Sequence, residues 1–454
     1  MKPYRIAFTP ILRTTFDIDF AQQMIEAARL SLLNTGFELI EPEQAISNIE
    51  SARKASAHLK HQSFDTLVIF QATFADSTLV ANLVEGVSSP VYLWAVPEPW
   101  TGSRLRLNSL CGINLAAHAL GLQGKKFEYG YGKPDDQRIL EDLRVLAAAG
   151  ALKRKLNHSK LGVVGEHPEG FDSCHLDKEQ LQAVFGVQVE QIPLSTVFQR
   201  TQAVPSAAVK VVREALEKHL DNLATLDQDA LTGTLRVYLA LREIADEHNL
   251  DGLAVRCWPE FFTELKCAAC GAMSMLSDGF LDQVPVPCSC EADINGTLAQ
   301  LILQCLSGEP AFGTDIVGVD TNLEQIAIWH CGLAPLSIAD PSSQPHGTIH
   351  SNRQLPLLMD FPLKPGKITI ARVNQTNGRL RLVIGSGEML SANKPFNGTS
   401  GIFRPSIATQ QFLDTLIYEG LEHHISLTYG NFTRELQTFA EWCSLPYLFL
   451  GEEE

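Results

Sequence analysis

The 454-residue chain lacks any apolar run approaching the length of a membrane span. Its opening, Met1 to Arg5 followed by a short apolar run broken at Pro10, has neither the apolar region nor the small-residue cleavage site of a secretory signal. Positive charge is scarce: 36 Lys and Arg stand against 52 Asp and Glu, a formal net charge of −16. Nucleic acid and anionic membranes both demand a basic face, so neither is expected as a partner. Charged residues make up only 19% of the chain and hydrophobic ones 45%, the balance of a large packed core and not of a disordered segment. Repeat arrays and long low-complexity segments are missing too. Without a signal, the ten cysteines point to a reducing, cytoplasmic setting, with free thiols or metal ligands in place of a disulfide framework.

What is there is enough chain for two or three domains. Short apolar runs at residues 5–12, 37–40, 66–71 and 91–96 alternate with helical patterns, the first over residues 20–33 and stopped by Gly36. Such alternation predicts a parallel, doubly wound sheet. Ligands of such sheets bind at the carboxyl ends of the strands, where Arg13, Gln71 and the 94–100 segment fall. The same pattern restarts near Lys160, with a strand at 161–165, helices over 209–223 and 232–247, and a strand at 253–257. After about Pro341 two period-two runs, 367–373 and 379–384, flank Asn377-Gly378, a strong hairpin signal. A helix over 409–421, a strand over 424–429 and a helix over 433–442 follow. The expected architecture is therefore α/β: two doubly wound domains at 1–155 and 156–340, then a β-rich domain at 341–454.

The segment Cys288-Ser-Cys-Glu-Ala-Asp-Ile-Asn-Gly296 places Glu291 and Asp293 where a strand meets a helix start. Acids there are stabilised by capping and by the helix dipole, and Asp293 fits the capping position better than Glu291. Asp315 follows 24 positions after Glu291 on a strand-like background, and His330 ends another apolar run. His423-His424 precedes the 424–429 strand; adjacent strand residues face opposite ways, so one of the pair at most is expected to enter a pocket that the strand lines. Taken singly, each of these residues has an ordinary structural role. Together they are carboxylates and imidazoles at separate strand ends, a donor set that suits Mn2+, Mg2+ or Co2+ better than thiolate-preferring metals. Two carboxylates beside one metal also supply what aldose–ketose isomerisation requires, one to take the C2 proton and one to return a proton at C1. A competing constellation is Cys267, Cys270, Cys288 and Cys290, whose first half has zinc-site spacing, although the favoured reading of these cysteines is buried free thiols lining a core. A redox role for Cys267 and Cys270 is not expected, because the pair does not read as opening a helix after a strand.

Four segments resemble the L-fucose isomerase/L-arabinose isomerase superfamily, in the family's order: Glu291-Ala-Asp-Ile-Asn-Gly296, Phe312-Gly-Thr-Asp315, Ile328-Trp-His-Cys-Gly332 and His423-His424-Ile-Ser-Leu. The resemblance implies Glu291 and Asp315 as metal ligands and acid/base pair, His424 as a further ligand, and His330 as a ligand seen in the arabinose branch. It implies two α/β domains followed by a β-barrel-like domain, Mn2+ as the usual metal, and trimers or hexamers whose sites are completed by a neighbouring subunit. Arg256-Cys-Trp-Pro-Glu260 resembles a shorter, divergent fucose-isomerase-like branch, some members of which act on sulfoquinovose, a sulfonated hexose. That substrate calls for a cation, for which Arg13, Arg256 and Arg404 are the candidates. Arg13, Gln71, Trp258, Glu260, Arg404 and His423 are the expected sugar-binding residues. The alternatives are a sugar-binding protein without turnover on the same scaffold and a protein structured by a zinc–cysteine cluster.

Overall fold

A computed structural model describes residues 3–376 and 378–451; the expected turn residue Asn377 lies outside them. The chain divides into two compact units. One holds the residues up to Lys155 together with Arg434–Cys443, the other Leu156–Thr433 and the chain from Ser444 onward.

In the first unit β1 (Arg5–Ile11), β2 (Glu38–Ile40), β3 (Thr66–Gln71), β4 (Val91–Ala95) and β5 (Glu128–Tyr131) form one parallel sheet in the order β2-β1-β3-β4-β5. The pleat sends alternate residues into two separate cores. Ala7, Leu67, Ile69 and Leu93 pack on one face, while Ile6, Phe8, Val68, Phe70 and Trp94 pack on the other. Helices cover both faces, which is why the strands read as unbroken apolar runs. The helix Thr433–Trp442 belongs here despite its late position: Glu435 pairs with Arg144 at 2.7 Å and Arg434 with Asp142 at 2.9 Å.

The second unit holds a smaller parallel sheet of β6 (Lys160–Val164), β7 (Gln188–Ile192), β8 (Gly252–Val255) and β9 (Cys288–Ser289), in the order β7-β6-β8-β9. Then come β10 (Phe312–Asp320), β11 (Gln325–His330), β12 (His346–Thr348), β13 (Leu358–Pro362), β14 (Gly366–Thr376), β15 (Arg379–Met389), β16 (Thr399–Pro405), β17 (His424–Tyr429) and β18 (Tyr447–Leu450). Six of them run antiparallel in the order β16-β11-β10-β17-β14-β15, and pairing of β15 with β16 closes the ring. The fold is thus α/β with a six-stranded barrel, and closure leaves those six strands no free edge. Its first two strands, β10 and β11, precede Pro341 in the chain.

The helix Ile294–Ser307 is apolar nearly all round and packs on β8 and β9 as well as on barrel strands β14 and β17. Its N-terminus therefore sits where the parallel sheet ends and the barrel begins. Among the described residues no helix is long and apolar enough to cross a membrane.

Candidate active site

Between β9 and the helix Ile294–Ser307 the chain makes a tight turn. Glu291 and Ala292 both take the left-handed conformation, at φ +58° and +56°. For residues carrying a Cβ this costs roughly 1–2 kcal/mol each. The turn is held by Ala292 N donating to Val255 O at 3.1 Å and Asp293 N donating to Cys290 O at 3.0 Å. The two acids emerge in different surroundings.

Asp293 turns into the helix. One of its oxygens caps Gly296 N at 2.9 Å, as the sequence led one to expect. The other meets Arg372 Nη1 at 2.5 Å and His424 Nδ1 at 3.0 Å. Arg372 in turn lies 3.4 Å from Glu422 and donates to Ser173 O at 3.3 Å. Burial alone would raise the Asp293 carboxyl, but Arg372 beside it and the His424 hydrogen bond outweigh that and hold it well below the usual carboxylate range.

Glu291 points the other way. Oε1 accepts from Trp258 Nε1 at 3.3 Å, while Oε2 lies 3.2 Å from His423 Nε2 and 3.9 Å from His424 Nε2. Asp315 on β10 stands directly opposite His424 on β17 in the sheet register. Its Oδ1 is 3.5 Å from His424 Nε2, buried, and without a hydrogen-bond partner. Burial raises this carboxyl. His424 thus has one nitrogen bound to Asp293 and the other facing two carboxylates. His330, at the end of β11, is buried with its ring 6.0 Å from that of His424. Burial first, and then the neighbouring histidines, push it down to about 3, so it is a neutral imidazole.

A fucose/sulfoquinovose isomerase N-terminal domain model matches residues 9–156, and an L-fucose isomerase C-terminal domain model matches residues 328–449. The sulfoquinovose isomerases of Priestia aryabhattai and Priestia megaterium are each 32% identical to this chain over 439 residues, 96% of this chain and 97% of theirs. That of Alkalicoccus urumqiensis is 33% identical over 449 residues, 97% of this chain and 98% of its own. The chain belongs to the fucose/sulfoquinovose isomerase family. It is accordingly an aldose–ketose isomerase of sugars.

Within this isomerase the expected ligands Glu291 and Asp315 each face His424 Nε2, at 3.9 and 3.5 Å. Two groups of described residues bring three ligand atoms within 4.8 Å of one another: Glu291 with His423 and His424, and Cys174 with Asp293 and His424. Neither His330 nor Asp315 is in these groups, and His330 Nδ1 contacts Cys331 Sγ at 3.3 Å. In the second group the Asp293 and His424 atoms are already bonded to each other, and burial pushes the Cys174 thiol up, so that group is the supporting side of the site. The first group and Asp315 Oδ1 form the open side. Both histidines reach it because β17 begins at His424; His423 lies in the bend before it, where strand alternation does not apply. His423 Nδ1 is set by Ser173 Oγ at 3.0 Å.

Of the other expected sugar contacts, Trp258 is at the site through Glu291, but Glu260 is taken up by Arg256, whose two nitrogens lie 2.9 and 2.8 Å from its carboxylate. Arg404 is exposed on β16, whose opposite end pairs with His330. At about 3.3 Å per residue, the five residues from Thr399 put it about 17 Å along the strand, so it is not gathered with His424. Arg13 and Gln71 lie in the first unit. Arg13 is exposed beyond β1, whereas Gln71 is 1% exposed, and a Cβ on Gly112 would stand 2.5 Å from its Cγ.

The four cysteines are free and buried in apolar clusters, as the favoured reading expected, and do not gather as the zinc alternative required. Cys290 Sγ lies 2.7 Å from Cys257 and Cys270 Sγ 3.3 Å from Cys331, and neither metal-competent group among the described residues contains them. Cys270 opens a helix, Cys270–Asp278, but the element before it is the helix Glu260–Thr263, so the pair does not open a helix after a strand, as expected. Sequence reasoning passed over Arg372 altogether. The signal was there: Arg372 shares the strand phase of Ile368 and Ile370, so the β14 pattern puts a charge on an apolar face, where it demands a buried carboxylate.

Proposed function

We propose that this isomerase is metal-dependent and interconverts sulfoquinovose and its ketose, with Glu291, Asp315, His424 and His423 facing the reacting carbons. The observation that carries the site is the buried, unpartnered Asp315 Oδ1 beside His424 Nε2 and Glu291. Glu291 and Asp315, which lie 3.9 and 3.5 Å from His424 Nε2, would hold a divalent ion together with that nitrogen. Oxygen and imidazole donors suit Mn2+, with Co2+ or Mg2+ as substitutes. Such an ion, when bound, supplies charge stabilisation for the oxygens on C1 and C2. The chain's own residues do the rest. Asp293 fixes the His424 tautomer by accepting from Nδ1, leaving Nε2 as a lone-pair donor. Glu291 and Asp315 share the proton work: one carboxylate takes the proton from C2 of the aldose and the other delivers one to C1. Trp258 and His423 hold Glu291 from two directions.

The sulfonated substrate rests on the relatives' activity and on near full-length similarity to them. The reading extends to a cytoplasmic homo-oligomer, trimer or hexamer, consistent with ten free thiols and with the family resemblance. The test is to strip the protein of metal with chelator, then assay sulfoquinovose in D2O with and without Mn2+. The stripped protein is expected to be inactive, and the Mn2+-loaded protein to form ketose carrying deuterium at C1. Full turnover by protein free of metal on elemental analysis would sink the metal assignment.

A further inference from the structure

We infer that Arg353 is the residue that binds the anionic group at the far end of the sugar, a specificity determinant that the sequence did not single out. The inference rests on the sulfonated substrate proposed above. Arg353 lies in the loop between β12 and β13 and is half-buried. Its guanidinium carbon stands 5.0 Å from the Trp258 ring centroid and 5.1 Å from that of Phe262. Trp258 is the residue whose indole nitrogen donates to Glu291. One indole therefore separates this cation from the carboxylate assigned to proton transfer.

The guanidiniums near the site differ in what they are committed to. Arg256 is bound through two nitrogens to Glu260, and Arg372 is buried between Asp293 and Glu422. Arg381 pairs with Glu419 at 2.6 Å. Arg353 has no carboxylate partner among the described residues, in a chain with 52 acids against 36 Lys and Arg. Its ring contacts are with aromatic carbon, and among the described residues its N–H donors meet no protein acceptor. Those donors match the oxygens of a sulfonate as they match a phosphate or carboxylate, and the planar fork gives two parallel bonds. The placement also fits the substrate's length. The chemistry is at C1 and C2 and the sulfonate at C6, so the anion-binding group has to stand off from Glu291 and Asp315, as Arg353 does. Arg13, Arg256 and Arg404 do not meet these conditions.

The test uses the Mn2+-loaded full chain. Wild-type turnover of sulfoquinovose comes first; its absence would sink the substrate reading itself, before any variant is made. Given turnover, Arg353→Gln is expected to raise KM for sulfoquinovose at least about tenfold while kcat changes less than about threefold. Arg353→Lys, which keeps the charge, should recover part of the loss. An unchanged KM in Arg353→Gln overturns the assignment. So does a fall in kcat at constant KM that Lys does not restore, because that pattern marks Arg353 as a prop for Trp258. If Arg353→Gln does not fold, Arg353→Lys carries the test alone: a KM equal to wild type with inorganic sulfate no longer competing would overturn it, and a raised KM with weakened sulfate competition would support it.

Discussion

On its Nδ1 side the His424 ring meets a network in which carboxylates and guanidinium face one another, with Arg372 Nε alone left without a hydrogen bond, 3.4 Å from Glu422. Asp293 caps a helix, binds Arg372 and accepts from the imidazole, and Glu422 backs Arg372 while accepting from Gln375 N and Asn374 Nδ2 at 2.9 and 2.8 Å. On its Nε2 side the same ring meets two carboxylates at 3.5 and 3.9 Å, one of them with a buried oxygen that no donor reaches. The two sides lie within one imidazole of each other, so general burial does not explain the difference. The first side is a structural network, where partial satisfaction would be costly. The second is held under-satisfied by the first, the arrangement expected where an ion or substrate completes the set.

The largest way to break this contrast is on the open side. Asp315→Asn and Glu291→Gln are each expected to lower kcat by about a thousandfold or more, since each removes a proton-transferring group. Full turnover in both variants would refute the roles given to these acids. Stability should move the other way. In metal-free protein Asp315→Asn is expected to melt at or slightly above the wild-type temperature, because it replaces a buried carboxylate lacking a donor with a neutral amide. A marked fall in the melting temperature would mean that Asp315 belongs to the structural side.

The supporting side should respond in the opposite sense. Asp293→Ala removes the cap and leaves Arg372 buried with Glu422 alone, so a loss of about 3–5 kcal/mol in unfolding free energy is expected. Asp293→Asn keeps size and capping ability but lowers the charge. It should weaken Mn2+ binding by roughly 10–100-fold through the lost anchor on His424 Nδ1, read by metal titration. Asp293→Asn with unaltered metal affinity would show that the network behind His424 does not tune the site.

Much of this scaffold was legible because it is local. The β3 strand at residues 66–71, the β17 strand at 424–429 and the helix over 433–442 coincide with their sequence expectations, since each is a short apolar or amphipathic run with clear stops. Asp293 was legible as a cap for the same reason: Gly296 is three residues away. Its second partner, His424, is 131 positions off, and no periodicity reports that. The same holds for the closure of the barrel by β15 on β16 and for the helix Thr433–Trp442 joining the first unit through Arg144. Arg353 escaped notice because its loop carries no motif; its environment is made by two aromatic rings from another part of the chain. The gathering of Glu291 and Asp315 at His424 was reached through family resemblance, and the register that sets Asp315 opposite His424 gives it a physical basis.

The smallest effect concerns His423, the exposed neighbour of His424. Both rings approach Glu291, and their centroids are 4.1 Å apart, yet one is fixed by a buried carboxylate and the other by the hydroxyl of Ser173. A hydrogen bond near solvent is worth about 1 kcal/mol, so Ser173→Ala should lower kcat/KM only about fivefold. It should leave Mn2+ affinity nearly unchanged if His423 serves chiefly to hold Glu291. A loss of Mn2+ affinity of roughly 10–100-fold, like that expected for Asp293→Asn, would place His423 on equal terms with His424. The division would then run between the paired histidines and the rest of the site, and no longer between the two nitrogens of one ring.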